Sequence, residues 1–212
     1  MRLFYLALGI LVVALIWLGP LVSAWRGSVT ANMLAHMGVV AVAAPLIAFG
    51  LASRLVLSKA SGNSMLIGLP IIGSLIELAV VWGWHAPAAR RWAESSAWGT
   101  AAEQACFLVA GLFLWLSCLA AGSTNASSHR AAGAFGLLLT TIHMTLLGAL
   151  LALSPRPLYG SGDASCLGTT LTALQDQQLG AVVMLLVGAA VYLAGGVALL
   201  AGLLAEPCRR IA

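Results

Sequence analysis

Six long apolar runs, near residues 3–24, 31–51, 65–84, 104–121, 132–153 and 180–205, constrain this chain more than any motif does. Each reaches or approaches the roughly 20 residues with which a helix crosses hydrocarbon. Where water is absent, only a helix or a closed barrel can satisfy its own backbone polar groups. A barrel is excluded, because the runs lack period-two alternation and are about twice the length of a spanning strand. With 61% hydrophobic and 8% charged residues and a mean hydropathy of +1.02, the chain falls far below the roughly 25–35% charge of a soluble surface. The expected fold is all-α: a polytopic transmembrane helix bundle of about six helices, forming a single transmembrane domain over residues 1–212. The first run follows Arg2 as a signal peptide would, but it exceeds the apolar core of about 7–15 residues found in such leaders and reads as a helix.

Lysine and arginine set the expected orientation. Arg2, Arg54, Lys59, Arg130, Arg209 and Arg210 fall on one side of a six-helix chain, and Arg26, Arg90, Arg91 and Arg156 on the other. The positive-inside rule makes the first set cytoplasmic, so both termini are expected in the cytoplasm. The loops around 25–30, 85–103 and 154–179 then lie outside, with Glu94, Glu103, Asp163 and Asp176. The formal charge of +4 reflects short cytoplasmic anchors, not a nucleic-acid surface, since no block of five or six like charges occurs.

Three histidines sit within or beside these apolar runs, two followed directly by methionine: His36-Met37, His85 and His143-Met144. An imidazole without a partner costs a few kcal/mol or more in hydrocarbon, so such groups point to a site. Imidazole with thioether is a soft ligand set that suits copper, above all Cu(I). In the six-helix frame all three histidines can face the outer half of the bundle. Met33, His36 and Met37 stand at i, i+3 and i+4 on one helix face. His143 and Met144 are about 100° apart, so only one of them points squarely inward. Met184, a turn or two beyond Asp176, lies at a depth that can complete a site. Each methionine is equally readable as pliable packing, and each histidine as a hydrogen-bonded structural residue. His129 adjoins Arg130 in the polar stretch 123–130 and reads as part of a solvated turn.

Glu77 lies about two turns below His85. It reads as a proton relay, a group supporting a metal ligand, or a neutral interhelical hydrogen bond. Asp176 precedes the last run, where a carboxylate complements the helix dipole and can cap that helix. With Glu103, these acids form the expected supporting set around the histidines and methionines. Cys106 and Cys118 are about 18 Å apart along one helix and cannot pair. No C-x-x-C, haem-attachment, G-x-S-x-G, Walker or H-E-x-x-H motif is present, so no enzymatic activity is expected.

Several of these motifs, taken in order, resemble a known family. His36-Met37 with Pro45 and Gly50, Trp84-His85-x-Pro87, and Glu103 with Phe107, Gly111 and Trp115 look like the CtaG family of caa(3)-type cytochrome c oxidase assembly factors. His143-Met144 with Leu147-Gly148, the run Ser154-Pro155-Arg156-Pro157-Leu158-Tyr159, and Leu174 with Asp176-Gln177-Gln178, Gly180 and Met184 continue the pattern over residues 29–190. Where the family commonly has a histidine and a glutamine, this chain has Asn32 and Ala35, and it is short for the family.

The resemblance implies a multi-pass protein of the bacterial plasma (inner) membrane. It would help to mature the copper centres of a haem-copper oxidase, with oxidase subunits and other copper chaperones as partners besides membrane lipid. Three other readings remain open: a b-type cytochrome with haem between two of the histidines, a copper or proton transporter using Glu77, and a scaffold for oxidase subunits that binds no metal. Gly188-Ala189 and Gly195-Gly196 offer small surfaces for helix contact, within the chain or in a homo-oligomer.

Overall fold

In the computed structural model, residues 1–52, 63–119, 126–160, 162–166 and 168–209 are described. Arg54, Lys59 and Arg210, used above for orientation, lie outside them. Among the described residues six helical spans are long and apolar enough to cross a membrane, as the apolar runs predict.

The first span is α1 (Arg2–Leu18), prolonged by the short α2 (Pro20–Ser23) after a break at Gly19-Pro20. The second runs through α3 (Val29–Met37), a π-helical segment (Gly38–Ala43) and α4 (Ala44–Leu51). α5 (Asn63–Trp84), α7 (Ala97–Leu119), α8 (Ala126–Ala152) and α9 (Ala173–Arg209) supply the other four. Between α5 and α7 lies α6 (Pro87–Ser95), an amphipathic helix outside the membrane-length runs. The connection from α8 to α9 carries a small antiparallel hairpin, β1 (Ala164–Cys166) with β2 (Thr169–Leu171), in which Ser165 pairs with Thr170.

The second span is the core of the bundle. It is 67% buried over its most apolar window, against 11% for the first span. α1 packs on α4 and the π segment, α9 on α3, and α7 on α4, while α8 joins α9 to α5. Small residues permit the close crossing of the first two spans. A Cβ on Gly9 would stand 2.6 Å from the Ile47 side chain, and one on Gly50 would stand 2.7 Å from that of Leu6. The surfaces at Gly188, Gly195 and Gly196 are used within the chain, against Met144 and Met37, Trp115 and Leu137, and Leu138 respectively.

The π segment has an identifiable origin. The Ala44 N–H is spent on the Val39 carbonyl, and Pro45 has no N–H to give to Val40. The orphaned Val40 carbonyl is met instead by the indole N–H of Trp115 at 3.1 Å, with the Tyr192 hydroxyl oxygen 3.5 Å away. A proline in the second span thus ties that span to α7 and α9 just below His36-Met37.

Three local expectations are corrected. His129 is not in a solvated turn: it lies in the first turn of α8 and is buried. The last helix starts at Ala173, well before its apolar run. Thr172 and Gln175 form a reciprocal cap there, the Gln175 N–H donating to Thr172 Oγ1 (3.3 Å) and the Thr172 N–H to Gln175 Oε1 (3.1 Å). Asp176 is therefore not needed to cap its own helix. Cys106 and Cys118 are free, as their separation requires.

Candidate metal centre

The N-terminus of α3 is fixed by residues from two helices. Ser28 caps it locally, its Oγ accepting from the Ala31 N–H at 3.2 Å. The Asp176 carboxylate then reaches across from α9 and accepts from Ser28 Oγ (2.8 Å), Val29 N–H (2.6 Å) and Thr30 N–H (3.1 Å). A carboxylate at a helix N-terminus satisfies free N–H groups and complements the dipole, here on a neighbouring helix. From Asp176 the same face of α9 continues through Gly180, Met184, Gly188 and Tyr192 at four-residue steps, running alongside the second span. Gly180 lets α9 approach closely: a Cβ there would stand 3.0 Å from Met33 Cγ and 3.1 Å from the Val29 carbonyl.

His85 directly follows the C-terminal end of α5. Its Nδ1 lies 2.7 Å from the Val81 carbonyl, which can only accept, so Nδ1 carries the proton. In the neutral ring Nε2 then presents its lone pair, and it faces the Met33 sulfur at 3.4 Å. Burial holds His85 well below the ordinary histidine range, near about 4; the bond to Val81 opposes the shift and Arg90 adds to it. The Tyr159 hydroxyl donates to the His85 carbonyl at 2.7 Å, and burial pushes that phenol up to about 12, keeping it a donor. The loop that carries Tyr159 is held in turn by Gln177, whose Oε1 accepts from the Leu158 N–H (2.7 Å) and whose Nε2 donates to the Leu151 carbonyl (3.0 Å).

His36 packs edge-on against His85, ring centroids 5.3 Å apart, and lies 4.1 Å from the Phe107 ring. Both of its nitrogens, and both of His143, are buried without a hydrogen-bond partner. His143 is deeper, within electrostatic range of His36. Met33, Met37, Met144 and Met184 are all fully buried, and Met37 and Met144 both pack near Gly188. The structure thus joins Met33, His36 and His85 directly, with Met37, Met144, Met184 and His143 along the same seam. Among the described residues no group of three or more His, Cys, Asp or Glu is placed to hold a metal ion, so the three histidines do not converge by themselves, and a soft-metal site here needs the thioethers as well.

The supporting acids separate. Glu77 accepts from the Tyr192 hydroxyl at 2.8 Å, near the hydrogen-bonded pair Thr140 and Ser74, one level below the histidines. Glu103 lies 3.7 Å from Arg90. Arg90 is a residue that charge counting alone treats as an outer anchor. In fact it is buried, pairs with Glu94 at 3.0 Å, and donates to the carbonyls of Arg26 (3.0 Å) and Ser28 (3.4 Å). It thereby pins α6 and α7 to the start of α3. A cavity of about 190 Å³ lined by Val29, Glu94, Tyr159, Asp163 and Asp176 adjoins this layer.

These features define a class: a polytopic membrane helix bundle with a buried histidine-methionine seam beneath one surface. The chain belongs to the cytochrome c oxidase caa3 assembly factor family (Caa3_CtaG), whose family model matches residues 1–206. No match is found among curated proteins or among solved structures.

Proposed function

We propose that this assembly factor carries Cu(I) at the Met33–His36–His85 layer and hands it to a haem-copper oxidase of the bacterial inner membrane, a non-catalytic role. The observation that carries the reading is the lone pair of His85 Nε2 facing the Met33 sulfur. Both atoms are acceptors, a thioether is a weak one, and no proton lies between them. A soft cation suits such a pair, and the unpartnered nitrogens of His36 and His143 and the thioethers of Met37, Met144 and Met184 offer further ligands along the seam. Copper here is cargo. Its transfer to oxidase subunits or from another chaperone depends on a difference of affinity, and the acid-lined cavity beside Tyr159 offers a cation an approach from outside.

Haem fits this layer less well. A macrocycle cannot lie between His36 and His85 while their rings are in contact and Phe107 covers His36. Glu77, the relay a transporter would use, is engaged by Tyr192.

The test is metal content of the detergent-purified, reduced protein loaded anaerobically with Cu(I), wild type against His36→Ala, His85→Ala and His143→Ala. Near-stoichiometric copper, lost in the His36 and His85 variants and without a Soret band, is expected. No retained copper in the wild type, or a haem spectrum, overturns the reading.

A further inference from the structure

α1 packs chiefly on the second span, α7 packs on that span as well as on α5, and a lateral cleft remains between α1 and α7. It is a cavity of about 370 Å³ at the outer end of the bundle, away from the histidines, lined by Trp17, Val22, Arg26, Ala101, Gln104 and Ala105 among others. Its wall is mostly apolar, with two polar features. Gln104 is buried, and neither polar atom of its amide meets a hydrogen-bond partner of good geometry, the neighbouring Glu103 included. Arg26 stands at the mouth, where its Nε donates weakly to the Val22 carbonyl at 3.5 Å, and among the described residues it forms no ion pair. A buried amide without a partner costs about 1–3 kcal/mol, so a cleft that leaves one in its wall is built for a polar guest or pays for an unused group.

The geometry points to a bound anionic phospholipid as the occupant of this cleft: we infer that Arg26 takes the phosphate, Gln104 donates to an ester carbonyl, and an acyl chain lies along Trp17, Val22, Ala101 and Ala105. The order of groups matches the order of a lipid at an interface. The cation is outermost, beyond the end of α2, the amide lies about two turns inside α7, and the apolar wall lies between the helices. An arginine at a helix end reaches headgroup level. A transmembrane helix from a partner would need neither an unpaired guanidinium at the rim nor an amide in the wall.

Native mass spectrometry of the full chain, released from mixed detergent containing equal phosphatidylglycerol and phosphatidylethanolamine, tests this. The wild type is expected to retain one phosphatidylglycerol in preference. Arg26→Gln should reduce that preference about fivefold, the scale of one interfacial cation. Gln104→Leu should weaken retention of both lipids, Arg91→Gln, at an exposed arginine on the same side, should change nothing, and inorganic phosphate should not displace the lipid. Equal retention of the two lipids, an equal effect of Arg26→Gln and Arg91→Gln, displacement by phosphate, or a second copy or other polypeptide in place of lipid would overturn the assignment.

Discussion

His85 Nε2 and the Met33 sulfur stand 3.4 Å apart, with the opposite ring nitrogen of His85 bonded to Val81 at 2.7 Å. The contact joins the end of α5 to the first turns of α3 and sets the imidazole's tautomer from behind. Such control of the far nitrogen is how a protein orients a metal-binding histidine.

Met33→Leu separates ligation from packing. The swap nearly conserves volume and should cost less than about 1.5 kcal/mol of stability. Cu(I) affinity should fall by about tenfold or more, because the sulfur is gone. Competition with a Cu(I) chelator, alongside a thermal melt, reads both. Unchanged affinity would remove Met33 from the ligand set.

The depressed value of His85 makes a prediction with a definite sign. Its folded-state value of about 4 lies below the ordinary 6.5, so on acidification the unfolded ring takes up its proton first. This stabilisation is complete above about pH 6.5 and is lost as pH falls toward about 4. Protons should likewise compete for Nε2 only near the lower value. Cu(I) affinity, corrected for the chelator, should stay flat from about pH 7.5 to about 5.5. A tenfold decline per pH unit beginning near 6.5 would mean that the folded protein leaves this ring solvated.

Asp176→Asn tests the cap supplied by one helix to another. The amide can replace one carboxylate oxygen but cannot accept at both, so a bond from Ser28, Val29 or Thr30 must fail. Stability should drop by about 1.5–3 kcal/mol, the scale of a lost hydrogen bond to a charged group. Copper retention should fall with it, because Met33 and His36 ride on the helix so held. Asp163→Asn, at an exposed site, should leave the melting temperature unchanged. Equal melting temperatures for the two variants would contradict the structural assignment.

How much of this could be read beforehand varies with the physics of each feature. Spans are legible because hydrocarbon thickness sets a length, and the runs near 31–51 and 65–84 match their helices closely. Ends are less so. α9 begins seven residues before its apolar run because Thr172 and Gln175 cap it, a T-x-x-Q signal present in the sequence that the reading from Asp176 missed. The histidines could be placed at a depth, but depth does not say which rings touch, and only the packing of α3, α5 and α7 brings His36, His85 and Phe107 together. Arg90 is the clearest omission. Its sequence neighbours Ala89 and Arg91 suggest a solvated anchor, whereas Glu94 one turn on in α6, Glu103 of α7 and the carbonyls of Arg26 and Ser28 draw it inside.

Trp115→Phe probes the π segment apart from the metal layer. The ring largely fills the space, but the Val40 carbonyl loses its 3.1 Å donor, and the Tyr192 hydroxyl 3.5 Å away already gives its proton to Glu77. A loss of about 1–3 kcal/mol in stability is expected, with Cu(I) stoichiometry retained. Tyr192→Phe should instead act mainly through Glu77, whose Oε1 would lose its partner at 2.8 Å. If the Trp115 variant melts like the wild type, the Val40 carbonyl has another donor and the account of Pro45 is wrong.

Gly180→Val addresses the seam from the side of α9. The glycine is placed where any Cβ would stand within 3.0 Å of Met33 Cγ and 3.1 Å of the Val29 carbonyl. The first neighbour is a flexible side chain and can swing aside; the second is backbone, at the turn that Asp176 holds. A branched residue must therefore either displace the Met33 sulfur from His85 or part α9 from α3. Overpacking of this kind costs about 1–3 kcal/mol. Cu(I) affinity should decline at least as much as in Met33→Leu, and adding Met33→Ala to Gly180→Val should restore stability without restoring copper. Such a rescue would locate the clash at the Met33 side chain. If stability is not restored, the strain lies in the backbone of α3, and the fall in copper follows from movement of the whole Met33–His36–Met37 face.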